Sequence, residues 1–222
     1  MKSSLFYTDK YKEIERKVAE FLNSRQDYLS TSTVESTRAV GDAMQDILAD
    51  SFPAILGSVC AQYSANFARR SMADLAFEDQ DGFYYIVDVK THRLDTKFNM
   101  PNLTSVERIA RFYEDDKSYF VVLFINYRIE GIKAVVEEVH FVPIEFLSWN
   151  CLTIGALGWG QIQIANSNII EINPGYSRKK WMLELCDALL EFYPKEIEKI
   201  SYRIERFREI RDRWAQKPES IG

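Results

Sequence analysis

One strand-like run, Tyr84-Tyr85-Ile86-Val87-Asp88-Val89-Lys90, limits what this chain can fold into more than any other segment. Its aromatic and branched residues call for burial, yet it carries a carboxylate and an ammonium two positions apart. Side chains alternate along a strand, so Asp88 and Lys90 share one face while Val89 enters the other. Burying such charges to no purpose costs on the order of several kcal/mol. Upstream, Asp81-Gly82 reads as a hairpin turn, with glycine free to adopt a positive φ. A three-residue loop at 80–82 pairs positions whose numbers sum to 162 and sets Asp74 opposite Asp88. Such cross-strand partners lie about 5 Å apart.

Two carboxylates at that separation repel unless a cation sits between them. Oxygen donors of this kind suit Mg²⁺, with Mn²⁺ as a substitute. Lys90, on the same face, can orient an attacking water and offset charge on a phosphate. Two carboxylates, a lysine and a divalent metal form the minimum set for phosphodiester hydrolysis. The plain alternative is a hairpin with solvated acids and lysine, and the apolar character of the strand argues against it.

Around this segment the pattern alternates between helix and sheet. Residues 8–23 place Tyr11, Ile14, Val18, Phe21 and Leu22 at helical spacing, with Thr8 or Asp9 as the cap. A second helix is expected over 37–51, with Val40, Met44, Ile47 and Leu48 inward, and Pro53 permits a third over 54–66. Runs at 83–89, 118–127 and 134–142 read as strands, with a helix near 103–113, and the pattern is helical again from Ser177 to Gln216 except at Pro194. The expected fold class is α/β, a central mixed sheet flanked by helices.

Composition narrows the function. Hydrophobic residues at 46% and charged residues at 27% exclude a disordered or collagen-like chain and a coiled-coil rod. No uncharged apolar run approaches the ~18 residues of a membrane span, and Met1 to Lys12 lacks the apolar core of a signal peptide. Cys60, Cys151 and Cys186 stand far apart and read as buried thiols in a reducing compartment, which points to the cytoplasm. Two histidines, His92 and His140, do not make a zinc site and receive no chemistry. A net charge of −5 argues against a nucleic-acid coating protein. It does not argue against one that focuses basic residues in a single cleft.

Ala73-Asp74…Asp88-Val89-Lys90 resembles the PD-(D/E)XK nuclease signature. The acid-bearing helix Gly41 to Leu48 before it, the helix Ser105 to Tyr113 after it and the strand Tyr119 to Tyr127 are similar to that family's αβββαβ core. The resemblance is strongest to type II restriction endonucleases, in particular small dimeric enzymes that read A·T-rich palindromes. Thr37-Arg38…Gly41, the continuation Thr91 to Phe98, Gln161-Ile162-Gln163 and the long C-terminal helix are also similar to them. The likeness covers roughly 35–215, although its hard motifs are a few positions. It implies a restriction-endonuclease-like core with added N-terminal helices and a long C-terminal helix, in one nuclease domain over 1–222. Its parts would be an N-terminal helical part at 1–66, a catalytic core at 67–150, a DNA-reading segment at 151–175 and a helical arm at 176–222.

By that resemblance Asp74 and Asp88 are metal ligands and Lys90 is the catalytic lysine. The family's helix acid, often Glu, falls on Asp46, with Asp42 and Glu35 as weaker candidates. An exposed helical acid is the plain alternative for Asp46. Ala73 replaces the name-giving proline, a common and harmless change. The implied activity is Mg²⁺-dependent, sequence-specific cleavage of double-stranded DNA by a homodimer in a prokaryotic cytoplasm, leaving 5′-phosphate and 3′-hydroxyl ends. A cognate methyltransferase would protect host DNA without touching this chain. The rivals are a structure-specific or repair endonuclease of the same superfamily and a non-catalytic DNA-binding module with a degenerate core.

Gln161 and Gln163 share one strand face, with Ile162 and Ile164 on the other. Gln and Asn, here also Asn166 and Asn168, can pair with adenine in the major groove. Glycines at 155, 158 and 160 allow close approach of a partner. An edge strand with a polar outer face explains the segment equally well. Arg38, Arg69, Arg70, Lys97 and Asn99 are candidates for the DNA backbone. The C-terminal helix carries Ile197, Ile200, Ile204, Phe207 and Trp214 at three-and-four spacing, with Arg211 in one seam position. That seam either packs on its own domain or serves as a dimer arm.

Overall fold

The turn between the two central strands is tied by its own first residue. Asp79 Oδ1 accepts hydrogen bonds from the backbone N–H groups of Asp81 and Phe83, both at 2.9 Å, and Asp79 Oδ2 accepts from the Tyr85 hydroxyl at 2.6 Å. Gly82 takes φ +72°, which its lack of a Cβ makes inexpensive. The strands joined here, β2 (Leu75–Asp79) and β3 (Tyr84–Arg93), pair antiparallel as Leu75↔Val87, Ala76↔Ile86, Phe77↔Tyr85 and Glu78↔Tyr84. Their register is the one expected from the loop length.

The computed structural model describes residues 2–25, 28–63, 73–97 and 99–219. The chain divides into two compact units, Met1–Arg178 and Lys179–Gly222. In the first, α1 (Lys10–Ser24) and α2 (Thr37–Leu56) precede β1 (Cys60–Tyr63), β2 and β3. Then come β4 (Asn102–Ser105), α3 (Val106–Phe112), β5 (Ser118–Glu130), β6 (Lys133–Pro143), β7 (Leu152–Gly155) and β8 (Gln161–Ile164). The main sheet has the order β1-β2-β3-β5-β6, with β3 and β5 parallel and the other neighbours antiparallel. A smaller antiparallel sheet has the order β4-β8-β7. The fold is therefore mixed α/β, with a mixed central sheet and helices.

An edge strand exposes unpaired backbone groups, and side chains of α1 cover those of β6. Asn23 donates to the Val136 carbonyl at 3.0 Å and accepts from its N–H at 2.8 Å. Glu15 Oε1 accepts from Phe141 N–H at 2.8 Å. Phe6, Tyr85, Tyr119, Phe141 and Phe146 meet in a buried aromatic cluster with ring centres 5.6–6.3 Å apart. Each such ring contributes roughly 1.5–3 kcal/mol by leaving water.

Three expectations need correction. Pro53 does not separate two helices, because α2 continues through it to Leu56. Proline at 53 removes the donor that would reach the Ala49 carbonyl, and that carbonyl accepts from the Tyr63 hydroxyl at 2.6 Å. The third helix expected at 54–66 does not form as a separate element: 54–56 end α2, Gly57–Val59 make a single 3₁₀ turn, Cys60–Tyr63 pair with β2, and 64–66 lie outside the described residues. The helix near 103–113 is shorter, because 102–105 form β4. The cysteines are free but not all buried: Cys151 is buried, Cys60 is half-buried and Cys186 is exposed.

The second unit is dominated by one helix, α4, which begins at Arg178 and runs to Ala215 with Pro194 inside it. Among the described residues no helix is long and apolar enough to cross a membrane.

Candidate active site

Strand β3 places Asp88 and Lys90 on one face, as the alternation requires. Lys90 Nζ lies 2.7 Å from both Asp88 oxygens, but only Oδ1 receives a well-directed hydrogen bond. Asp88 Oδ2 is buried and has no hydrogen-bond partner. Only 7% of Asp88 is exposed, and burial pushes its carboxyl up to about 7. Lys90 and Arg108 pull in the opposite direction, while the nearby Asp74 carboxylate adds to the rise.

Asp74 stands just before β2. Its backbone N–H donates to the Val87 carbonyl at 3.0 Å, which holds it beside the middle of β3. Asp74 Oδ2 accepts from Val89 N–H at 2.7 Å, and Oδ1 accepts from the Gln45 side-chain amide. The two aspartates therefore differ in their surroundings. Asp74 accepts from two neutral donors, whereas Asp88 is buried against one ammonium.

The helix residue at this centre is Gln45, not Asp46. Gly41 and Gln45 lie one turn apart on the side of α2 facing β3. A Cβ at Gly41 would meet Thr91 Oγ1 at 2.7 Å, which explains the glycine. Asp46 lies about 100° further around the helix and is exposed, as are Asp42 and Glu35. Asp42 makes a loose ion pair with Arg38 at 3.8 Å. The structure does not bring Asp46 to this centre. Gln45, one turn from Gly41 on the same side of α2, stands there instead, and its only mark in the sequence is that i+4 spacing.

A cleft of about 310 Å³ opens between α2 and the second half of β3. Its lining includes Arg38, Asp42, Gln45, Lys90, His92 and Asn99. Arg108, on α3, is a second residue missed in the sequence. Its Nε is buried without a partner, burial lowers its guanidinium below the ordinary range, and the Asp88 charge draws it back up.

The candidate DNA contacts divide into two groups. Gln161 and Gln163 share a face of β8, with Ile162 and Ile164 buried beneath. Gln163, however, donates to Asn102 Oδ1 at 2.6 Å and lies over Gly155, where a Cβ would meet it at 2.6 Å. The close approach that Gly155 permits is thus to a side chain of its own sheet. Asn166 Oδ1 accepts from Asn168 N–H, and Asn168 Oδ1 meets His92 Nε2 at 2.7 Å. The Asn99 carbonyl accepts from Ser167 N–H at 3.0 Å, and Asn99 N–H donates to Ser167 Oγ at 2.9 Å. His92, given no role from sequence, therefore helps tie the 161–168 segment to β3 and the cleft. Lys97 is exposed, Arg38 lines the cleft, and Arg69 and Arg70 lie outside the described residues.

A divalent cation can be tested against these residues. The donors are carboxylate oxygens, which suit Mg²⁺, and Asp88 Oδ2, though ion-paired to Lys90, is buried and takes no directed hydrogen bond. No group of three or more His, Cys, Asp or Glu residues able to hold a metal occurs among the described residues. Magnesium does not need one, because it commonly binds through one or two carboxylates and fills the remaining positions with water and phosphate oxygens. The residues present fit. No protein-family model matches this sequence, and no curated protein matches it.

Proposed function

We propose that this protein is a Mg²⁺-dependent endodeoxyribonuclease of the PD-(D/E)XK type, acting as a homodimer at a specific, A·T-containing palindrome in double-stranded DNA. The observation that carries the reading is Asp88, a buried carboxylate with one oxygen that takes no directed hydrogen bond, ion-paired to Lys90 and near Asp74, beneath a cleft that Lys90 and Gln45 line. The strand order around it is compatible with a restriction-endonuclease-like core.

Asp74 and Asp88 would hold the metal, with Mn²⁺ able to substitute. Bound Mg²⁺ supplies Lewis-acid shielding of charge at the phosphate. Lys90 favours the charged, metal-binding form of Asp88 against the effect of burial and presents an ammonium to the phosphate and the attacking water. Gln45 and Val89 N–H hold Asp74 in a single orientation, so its position is set before DNA arrives. Arg108 lies close enough to Asp88 to favour the same charged state. Gln161 remains available for base contact, and Arg38, Lys97 and Asn99 for the backbone. On this reading the products carry 5′-phosphate and 3′-hydroxyl ends, and the setting is a prokaryotic cytoplasm with a protective methyltransferase that acts on DNA alone.

The test is digestion of a long mixed-sequence DNA with Mg²⁺ and with EDTA, followed by sequencing of the product ends. The expected result is discrete Mg²⁺-dependent fragments whose ends share one palindrome. Cutting confined to branched DNA would replace site specificity by shape recognition, and an absence of cutting in Mg²⁺ and Mn²⁺ would remove the catalytic reading.

A further inference from the structure

Helix α4 carries a second ordered pattern that the nuclease reading does not use. Leu183, Leu190, Ile197 and Ile204 recur every seventh residue, and Cys186, Tyr193, Ile200, Phe207 and Trp214 follow each at the third position, with Arg211 completing the first series. These are the two core positions of a heptad repeat, sustained over more than four heptads. The side chains are not buried: Leu190 is 73% exposed, Phe207 67%, Ile197 64% and Trp214 63%. A strict seven-residue period drifts around a straight helix and stays on one face only when two helices supercoil. Pro194 lies on the flank of this seam and not in it.

We infer that α4 is one half of an antiparallel two-helix coiled coil whose other half is α4 of a second copy of this chain. Charge selects the orientation. In a parallel, in-register pair Arg203 would face the partner's Arg208, and Arg211 would stack on its own copy. Turning one helix around and centring the pair between Ile197 and Ile200 removes both conflicts. Glu196 then lies across from the partner's Arg203, and Asp187 on the same flank as the partner's Arg208, each twice by symmetry. The core layers become complementary in size: Leu183 meets the partner's Trp214, Leu190 the partner's Phe207, and Ile204 the partner's Tyr193. Arg211 meets the partner's Cys186, the one polar layer, which sets the register.

This inference does not depend on the nuclease reading, and its test needs no DNA. Sedimentation equilibrium of the full chain should give a dimer at micromolar concentration. Ile200→Asp with Phe207→Asp should weaken that dimer by at least about 100-fold, with the near-ultraviolet circular dichroism of the buried aromatic cluster around Phe6 and Tyr85 retained, because both substituted side chains are exposed in the single chain. Copper–phenanthroline oxidation should leave the native chains unlinked, because the two Cys186 thiols lie at opposite ends of an antiparallel pair. In Arg211→Cys it should produce a linked dimer whose peptides join residues 186 and 211. A monomeric native protein, or a dimer indifferent to the double substitution, overturns the interface. Native cross-linking through Cys186 overturns the orientation.

Discussion

At the scale of single residues, the candidate site turns on how differently its two aspartates are supported. Asp74 accepts from Val89 N–H and from Gln45. Removing Gln45 leaves Asp74 Oδ1 without its donor, so that Val89 N–H alone orients the carboxylate. Gln45→Ala should therefore lower cleavage by about 10- to 100-fold, the range seen when a supporting partner of a metal ligand is lost. Asp46→Ala should change cleavage less than twofold, because its side chain is exposed on another part of the helix; parallel rates on one DNA substrate distinguish the two. Asp88 and Lys90 were legible in the sequence because charges inside an apolar strand violate its pattern. Gln45 was not, because a neutral residue on the flank of an amphipathic helix violates nothing.

At the scale of elements, the β2–β3 hairpin sets the spacing of the site, and Asp79 sets the hairpin. Its register was readable from Asp81-Gly82, since loop length and a positive-φ glycine leave few alternatives. Asp79→Ala leaves two backbone donors and the Tyr85 hydroxyl without their acceptor. It should cost about 2–4 kcal/mol in urea unfolding. The strand at Cys60–Tyr63 was not readable, because it is short, partly polar and defined only by its pairing with β2. The α1–β6 contact carries a pH dependence. Burial raises the Glu15 carboxyl to about 7 against an ordinary value of 4.5. The folded state then holds a proton that the unfolded chain releases, so stability falls as pH rises from about 4.5 to about 7 and stays lower above that. Glu15→Gln keeps an acceptor for Phe141 N–H and removes the ionisation. It should stabilise the protein by roughly 1 kcal/mol at pH 8, after allowing for partial solvent screening, and by nothing at pH 4. Thermal melts at the two pH values give the comparison, and an equal effect at both would dissociate the pH dependence from Glu15.

At the scale of the whole molecule, an acidic chain must concentrate its attraction for DNA. The net charge of −5 makes diffuse binding weak. The cleft between α2 and β3 gathers Arg38 from α2 and Lys90 and Arg93 from β3. The general α/β class followed from the alternation of helical and strand patterns. Where Gln163 and Asn168 place their hydrogen-bonding groups did not, because their partners Asn102 and His92 lie far away in sequence. The central claim is that Asp88 and its neighbours form a hydrolytic metal centre. Its most direct test is Mg²⁺-dependent cleavage of a long DNA by wild type and Asp88→Asn side by side, with a thermal melt of each. The account predicts at least about a 1,000-fold loss of cleavage with an equal or higher melting temperature, because a buried charge is replaced by a neutral group of the same shape. An Asp88→Asn protein that cuts at the wild-type rate would contradict it.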